Sequence, residues 1–226
     1  MARKGAISNG KCSLCGGVFD KAAMTSHLKS CVRKQGDSET STREKGAKRT
    51  SVFHLFVEGR YLPEYWMHLE VRADATLDTL DRFLRDIWLE CCGHMSEFEI
   101  KGARYSVEPM DLDDEFMDVK LKDMLSPGMK FRHTYDFGSS TVLTLKVVAQ
   151  RESEIRSKQI KVLARNEPPV ILCARCGAPA TKVCAECVYS GEGWLCEKCA
   201  RDHECGEDMC LPVVNSPRVG VCGYTG

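Results

Sequence analysis

The chain lacks the features that would assign it a reaction or send it out of the cell. Met1 to Lys4 lead into polar residues rather than an apolar run, so no signal peptide is predicted. No phosphate-binding glycine loop and no nucleophile elbow is present. The acidic stretch at 111–115 is not followed by the glycine and glutamate of an EF-hand. We therefore expect a cytoplasmic protein with no membrane anchor, no small-molecule substrate and no enzymatic activity.

Net charge is also absent, because 32 Lys and Arg residues balance 32 Asp and Glu residues. The neutral total hides a polarised chain. Residues 1–50 carry eleven basic side chains against four acidic ones, and residues 51–150 carry eleven against eighteen. A basic N-terminal segment is typical of contact with a phosphate backbone, whereas the acidic middle should not touch nucleic acid. A lysine-rich face that meets only water is the alternative.

Cysteine, by contrast, is abundant, with fourteen residues in the chain. From residue 173 onward three Cys-x2-Cys steps are followed by a histidine and further cysteines. Each step directs two thiolates at one tetrahedral centre, so this segment predicts two zinc ions. A disulfide framework fits such spacing poorly in a chain without a secretion signal.

Alternating use of these pairs predicts a cross-brace, and sequential use would give two separate ribbons. In the cross-brace one zinc is held by Cys173, Cys176, Cys196 and Cys199. The other is held by Cys184, Cys187, His203 and a last cysteine. The order of spacings over residues 173–210 resembles the B-box family, which implies a structural, protein-binding role and Cys210 as the last ligand. Cys205 closes the site instead if the chain turns sharply at Gly206, and Cys222 is a further candidate.

The N-terminal segment predicts a third zinc ion. Its ligands would be Cys12, Cys15, His27 and Cys31, where His27 and Cys31 lie one helical turn apart. This pattern resembles the single zinc fingers that end in Cys. The finger helix and the linker after it supply the candidate nucleic-acid contacts, which are Lys21, Lys29, Arg33, Lys34, Arg43, Lys45, Lys48 and Arg49.

Between the two cysteine-rich ends the pattern predicts a compact α+β domain. Alternating strands are expected at 51–58 and 65–72, a helix capped by Thr76, and a last hairpin from 130 to 148. The predicted organisation is a finger (1–35), a flexible basic linker (36–50), the α+β domain (51–165) and a two-zinc module with its tail (166–226).

The turn Tyr135-Asp136-Phe137-Gly138 carries a second resemblance, to the plasmid Ri open-reading-frame-three family. The resemblance covers roughly residues 51–150, implies a fold related in outline to a β-grasp, and implies a prokaryotic origin. The family signature continues with an Asp and a His, and this chain has Ser139 and Leu143 there. Any polar site made by those two residues is therefore expected to be absent.

Two adjacent cysteines, Cys91 and Cys92, are predicted to be core or partly buried, and the nearby His94 has no ligand spacing.

Taken together, the sequence predicts a non-enzymatic protein with three Zn²⁺ ions. Its basic finger would contact nucleic acid, with RNA favoured and a ribonucleoprotein such as the ribosome as one setting, while the other modules contact protein. A protein-interaction adaptor without nucleic-acid binding is the alternative.

Overall fold

A computed structural model describes residues 8–40, 50–109, 111–153 and 159–226, with the backbone alone for residues 35–40. Most of its regular structure is sheet. The strands are β1 (Asn9–Cys12), β2 (Val18–Asp20), β3 (Thr50–Gly59), β4 (Trp66–Arg72), β5 (Ser96–Ile100), β6 (Ala103–Ser106), β7 (Asp114–Phe116), β8 (Lys130–Tyr135), β9 (Thr141–Ser153), β10 (Ile160–Asn166), β11 (Lys182–Cys184), β12 (Trp194–Leu195) and β13 (Cys210–Pro212).

The helices are short apart from the first. They are α1 (Lys21–Thr40), α2 (Leu77–Leu84), α3 (Leu121–Met124) and α4 (Glu197–Arg201), with a π-helical turn at Arg85–Leu89 and 3-10 turns at Val188–Ser190 and Glu207–Met209. Helix α2 begins where the sequence predicts, because the Thr76 side chain accepts the N–H of Thr79 at 3.2 Å. Helix α1 continues to Thr40, into the range predicted as linker.

Ten of the described strands form one sheet in the order β2-β1-β10-β4-β3-β9-β8-β5-β6-β7. Neighbouring strands are antiparallel except for β6 and β7, which are parallel. The strands β12-β11-β13 form a second, small sheet. The predicted α+β class is confirmed, whereas the finer β-grasp-like description is not.

The central strands β3 and β4 are covered on both faces, and this explains why β3 is buried almost throughout. One face of β3, with Phe53, Leu55 and Val57, packs into the main core that includes α2. On the other face, His54 and Phe56 lie on the side of α1. The Nε2 atom of His54 is 2.9 Å from Nδ1 of His68 in β4.

The finger is joined to this sheet, although the sequence predicts it as a separate module. Strand β1 pairs with β10, with Cys12 opposite Ala164. Trp66 of β4 belongs to the same apolar cluster as the finger core. Gly10 is required at this junction, because a Cβ atom there would lie 2.4 Å from the Trp66 ring and 2.6 Å from the Arg165 carbonyl oxygen.

The C-terminal tail packs back on the middle of the chain. The Ser216 hydroxyl donates to the Trp88 carbonyl at 2.6 Å. Arg218 is fully buried, and its guanidinium lies 2.8 Å from the Asp136 carboxylate. The tail therefore belongs to the same folded body as the α+β region, and it meets that region at the turn between β8 and β9.

Candidate functional site

Four Cys/His groups in the described chain can hold a metal ion, and the first is the predicted finger. The ligand atoms of Cys12, Cys15, His27 and Cys31 all lie within 4.8 Å of one another. The sulfurs of Cys12 and Cys31 are 4.0 Å apart, and the Cys15 sulfur is 3.3 Å from Nε2 of His27. The four donors thus surround one point between β1 and α1.

Backbone geometry in the finger prepares Cys15 to bind as a thiolate. The N–H group of Gly16 donates to the Cys12 carbonyl at 2.9 Å, which closes a tight turn with a positive φ at Gly16. The N–H group of Gly17 then donates to the Cys15 sulfur at 3.5 Å and lowers the pKa of that thiol. Phe19 stacks on the His27 ring with centroids 4.1 Å apart, so the ring orientation is held by packing.

The second group consists of Cys173, Cys176, Cys196 and Cys199. It brings the first and third Cys-x2-Cys steps together, as the alternating scheme predicts. The sulfurs of Cys176 and Cys196 are 3.6 Å apart. Burial opposes ionisation of Cys173, but the backbone N–H groups of Cys196, Cys176 and Arg175 outweigh it and lower the pKa of this thiol to about 6. A thiolate donor is thereby favoured at neutral pH.

The third group consists of Cys184, Cys187, His203 and Cys205. The sulfurs of Cys187 and Cys205 are 3.6 Å apart. Both ring nitrogens of His203 are buried, and neither has a hydrogen-bond partner among the described residues. A buried imidazole without partners is costly, and a metal ion would satisfy one of its nitrogens.

The structure groups Cys205, rather than the predicted Cys210, with Cys184, Cys187 and His203. Gly206, with φ of +85°, donates its N–H to the His203 carbonyl at 2.9 Å. This turn folds Cys205 back toward Cys187. Cys210 instead lies in β13 opposite Cys184, and its S–H group donates to the Gly206 carbonyl at 3.7 Å.

The donor sets and their spacing fit zinc. Zinc in structural sites binds four Cys or His ligands tetrahedrally, with Zn–S distances of about 2.3 Å. Two sulfurs at those distances and angles are about 3.8 Å apart, because a tetrahedral edge is about 1.6 times the centre-to-vertex distance. The sulfur–sulfur separations in the three groups, 3.6–4.0 Å, lie close to this value.

A fourth group, Cys91, Cys92, His94 and Cys222, was missed by sequence reasoning. The first three residues lie between the π-helical turn and β5, and Cys222 lies in the tail. No local spacing connects them, so only the docking of the tail brings them together. Cys91 is half-buried, within the predicted range, whereas Cys92 is exposed. His94 has no ligand spacing in the sequence, but it lies within ligand distance of these cysteines in the fold.

The family signature turn is held by hydrogen bonds and an ion pair in this chain. The Asp136 carboxylate accepts the N–H groups of Gly138 and Ser139 at 2.9 and 3.1 Å and binds Arg218. The guanidinium of Arg218 lies over the Tyr135 ring, 4.7 Å from its centroid. The turn of this chain therefore holds its own C-terminal tail.

A basic cleft lies between α1 and the sheet, with a volume of about 530 Å³. Strands β8 and β9 contribute Lys130 and Lys146, which face each other directly in the pairing register. Helix α1 contributes Lys21 and Lys29. The cleft is lined by Lys21, Ala22, Thr25, Lys29, Phe56, Glu58, Gly128, Lys130, Thr144, Lys146, Val147 and Val148.

The predicted nucleic-acid contacts differ in where the structure places them. Lys21 lines the cleft, but its ammonium group forms an ion pair with the Glu58 carboxylate at 2.8 Å. Lys29 lines the cleft and is exposed. Arg33 and Lys34 are exposed on the same helix. The linker residues Arg43, Lys45, Lys48 and Arg49 lie outside the described residues. Lys130 and Lys146 were not predicted, because the sequence does not show the register that pairs them.

The histidines beside this cleft are neutral at physiological pH. Burial, together with the charges of Arg151 and Lys29, lowers the pKa of His54 to about 4. Burial and the neighbouring His54 lower the pKa of His68 to about 3. His68 also contacts the Thr25 hydroxyl of α1 at 3.4 Å. The two imidazoles therefore act as neutral polar packing between helix and sheet.

The fold and these groups define an α+β protein with cysteine-rich ends. The chain belongs to the plasmid pRiA4b ORF-3-like family, whose model matches residues 57–170. This confirms the predicted resemblance for the middle domain, and the match reaches neither the finger nor the two C-terminal Cys/His groups.

A solved structure, the protein of unknown function MM3350 from Methanosarcina mazei Go1, is similar to part of the chain. It has 19% sequence identity and a TM-score of 0.46, and the match covers 51% of this chain and 70% of that one. Comparison with curated proteins found no match. No helix among the described residues is long and apolar enough to cross a membrane.

Proposed function

We propose that this is a non-enzymatic, zinc-scaffolded protein that binds a single strand of nucleic acid, with RNA favoured, in the basic cleft between α1 and the sheet. Zinc in the three predicted centres would form the finger and the C-terminal cross-brace. Each of these centres offers four protein ligands, and a closed set of four is typical of structural rather than catalytic zinc. Metal binding would then be coupled to the folding of both ends.

The observation that carries the nucleic-acid proposal is the pairing of Lys130 with Lys146. Two like charges directly opposite each other in antiparallel strands destabilise a sheet. Here they face a third exposed cation, Lys29, across the cleft. Such an arrangement becomes favourable when an anion lies between the charges. A phosphate backbone supplies such anions.

The shape of the site favours a single strand over a duplex. Duplex DNA is read by an element that protrudes into a groove, whereas this site is concave. Phe56 lines the same cleft and is partly buried. A cationic groove that carries an aromatic side chain is the arrangement by which single-stranded nucleic acids are bound through phosphates and stacked bases.

Protein partners are proposed for the C-terminal module. Val170, Leu172 and Tyr189 are 78%, 58% and 75% exposed in the described chain. Large exposed apolar side chains favour contact with protein. The adaptor function, in which the basic cleft binds nothing, remains the second candidate on this observation.

Salt-dependent binding separates the two functions. Anisotropy of a labelled single-stranded RNA would be measured between about 50 and 200 mM salt for the wild type and for a Lys130→Gln, Lys146→Gln double variant. Each phosphate contact on a single strand adds about 0.7 to the logarithmic salt slope, so the double variant should lose about 1.4. A DNA strand of the same sequence tests the preference for RNA.

The matched control removes the same charge elsewhere. Lys101 and Lys122 are exposed on the acidic part of the chain, so changing both to Gln should leave affinity and slope as in the wild type. A second variant with Lys29, Arg33 and Lys34 neutralised tests helix α1, of which Lys29 lines the cleft. Absence of RNA binding by the wild type, or equal slopes in all variants, would favour the adaptor.

A further inference from the structure

The fourth Cys/His group lies where the C-terminal tail crosses the turn between β8 and β9. The Nε2 atom of His94 is 3.1 Å from the Cys92 sulfur and 3.2 Å from the Cys222 sulfur. The Cys92 sulfur is 3.5 Å from that of Cys91 and 3.8 Å from that of Cys222. The two sulfur–sulfur separations lie close to the edge expected for a zinc tetrahedron, about 3.8 Å between sulfurs.

We propose that Cys91, Cys92, His94 and Cys222 form a fourth zinc site, which fastens the C-terminal tail to the middle domain. This site is separate from the finger and the cross-brace. Its ligands come from two segments of the chain, and 128 residues separate His94 from Cys222. The metal class is a thiophilic divalent cation, and Zn²⁺ suits a set of three thiolates and one imidazole.

The cysteine inventory supports the assignment. All fourteen cysteines are described and free of disulfides. Three groups of three and one group of four account for all of them except Cys210. Thirteen of the fourteen cysteines therefore lie in groups whose geometry suits metal binding, and this supports metal as the ligand of the fourth group as well.

The loop that carries three of the ligands is held in place independently of the tail. The Tyr135 hydroxyl accepts the N–H of His94 at 3.2 Å and that of Cys91 at 3.5 Å. The same hydroxyl donates to the Glu90 carboxylate at 2.9 Å, and Glu90 also accepts the N–H of Gly93 at 2.6 Å. These bonds fix the loop backbone, so its ligands are positioned at little further entropic cost.

On the tail side, Cys222 is held in an uncommon backbone conformation. Its φ is +50°, a left-handed value that non-glycine residues adopt at a cost of about 1 kcal/mol or more. The N–H of Tyr224 donates to the Val221 carbonyl at 3.0 Å and closes a turn around it. This turn directs the Cys222 sulfur at His94, and a metal ligand role accounts for keeping a cysteine there.

The charge balance of the site is also favourable. Three thiolates and one Zn²⁺ ion carry a net charge of −1. The buried guanidinium of Arg218 lies 3.3 Å from the Cys91 sulfur and offsets that charge. Asp136 binds the same guanidinium at 2.8 Å and lies 3.5 Å from Nε2 of His94. A zinc ion would thus leave the thiolates, Arg218 and Asp136 each next to a group of opposite charge at the tail junction.

This site should hold its metal less tightly than the other three. Each of the others contains at least one buried cysteine: Cys12 and Cys31 in the finger, and Cys173 or Cys184 in the C-terminal groups. In this group Cys92 and Cys222 are exposed, and Cys91 and His94 are half-buried. A chelator can therefore reach this zinc first. Its removal would leave Arg218 as the main polar link between the tail and the turn.

The test is the zinc content of the full chain, purified under reducing conditions without chelator. We expect four zinc ions per chain in the wild type and three in the Cys222→Ser and His94→Gln variants. Cys210→Ser, which removes a thiol outside all four groups, should retain four. A chromophoric chelator should release one zinc per chain in an early phase from the wild type, and this phase should be missing from Cys222→Ser.

Each contrary result is decisive. Three zinc ions in the wild type, or four in Cys222→Ser, would overturn the fourth site while leaving the other three intact. A Cys92–Cys222 disulfide, found by mass spectrometry of the non-reduced protein, would assign these thiols to a covalent staple instead. Loss of more than one zinc in both Cys222→Ser and His94→Gln would overturn the assignment of one separate zinc site at the tail junction.

Discussion

Replacing Cys205 with Ser should remove one zinc ion from the C-terminal module, whereas replacing Cys210 should remove none. The Cys205 sulfur is 3.6 Å from that of Cys187, close to the tetrahedral edge of about 3.8 Å. Without it, the third group keeps two thiolates and His203. Cys210 contributes a weak S–H bond to a carbonyl at 3.7 Å, and its loss leaves all four donors in place.

The size of the effect follows from the coordination. Changes to groups that merely orient metal ligands weaken binding by about 10–100-fold, so the loss of a ligand should cost more than about 100-fold. Competition with a chromophoric chelator at neutral pH measures this directly. Cys205→Ser should give up one zinc at a chelator concentration where Cys210→Ser retains its full content. The reverse order would refute the assignment of Cys205, and equal retention would show that neither cysteine is a ligand.

Three further outcomes test the cleft and the junction between finger and sheet. Because the folded pKa values of His54 and His68 are depressed, the unfolded chain takes up protons below pH about 6.5. The free energy of unfolding should therefore fall by about 1.6 kcal/mol per histidine between pH 6.5 and 5. Urea unfolding of a His54→Gln, His68→Gln variant should show a flatter pH dependence than the wild type, and equal slopes would contradict the burial argument. Phe56→Leu should weaken RNA binding without changing the salt slope, because stacking releases no counterions. A reduced salt slope in the anisotropy titration would assign Phe56 another role. Trp66→Ala should lower the free energy of unfolding by about 3–5 kcal/mol and release the finger zinc at lower urea, whereas an unchanged finger would show that it folds independently of the sheet.

The ligand groups could be predicted from sequence as far as their geometry is local. A Cys-x2-Cys step fixes two donors within one turn, and His27 and Cys31 share one helix face. The choice between Cys205 and Cys210 depends on a turn at Gly206, which the sequence allows as an alternative. The fourth group depends on the tail docking through Arg218, and a contact of that range leaves no spacing in the sequence.

The strands likewise could be predicted where they depend on local sequence and not where they depend on pairing with distant residues. The hairpin of β3 and β4 and the cap of α2 follow from alternation and from Thr76. Strand β10 was not predicted, because a register shift between Val162 and Ala164 interrupts its alternation. Its pairing with β1 is what joins the finger to the sheet. The pairing of Lys130 with Lys146 likewise depends on strand register, so the basic cleft could not be read from the sequence.

The central claim is that single-stranded nucleic acid lies between α1 and the sheet, and NMR can locate the contact directly. At 25.3 kDa the protein is small enough for amide spectra to be followed during titration with a single-stranded RNA at low salt. We expect the largest shifts on Lys29, Phe56, Lys130 and Lys146, with strands β5 to β7 unaffected. Shifts confined to β5–β7 or to the C-terminal module, or no shifts at all, would contradict it.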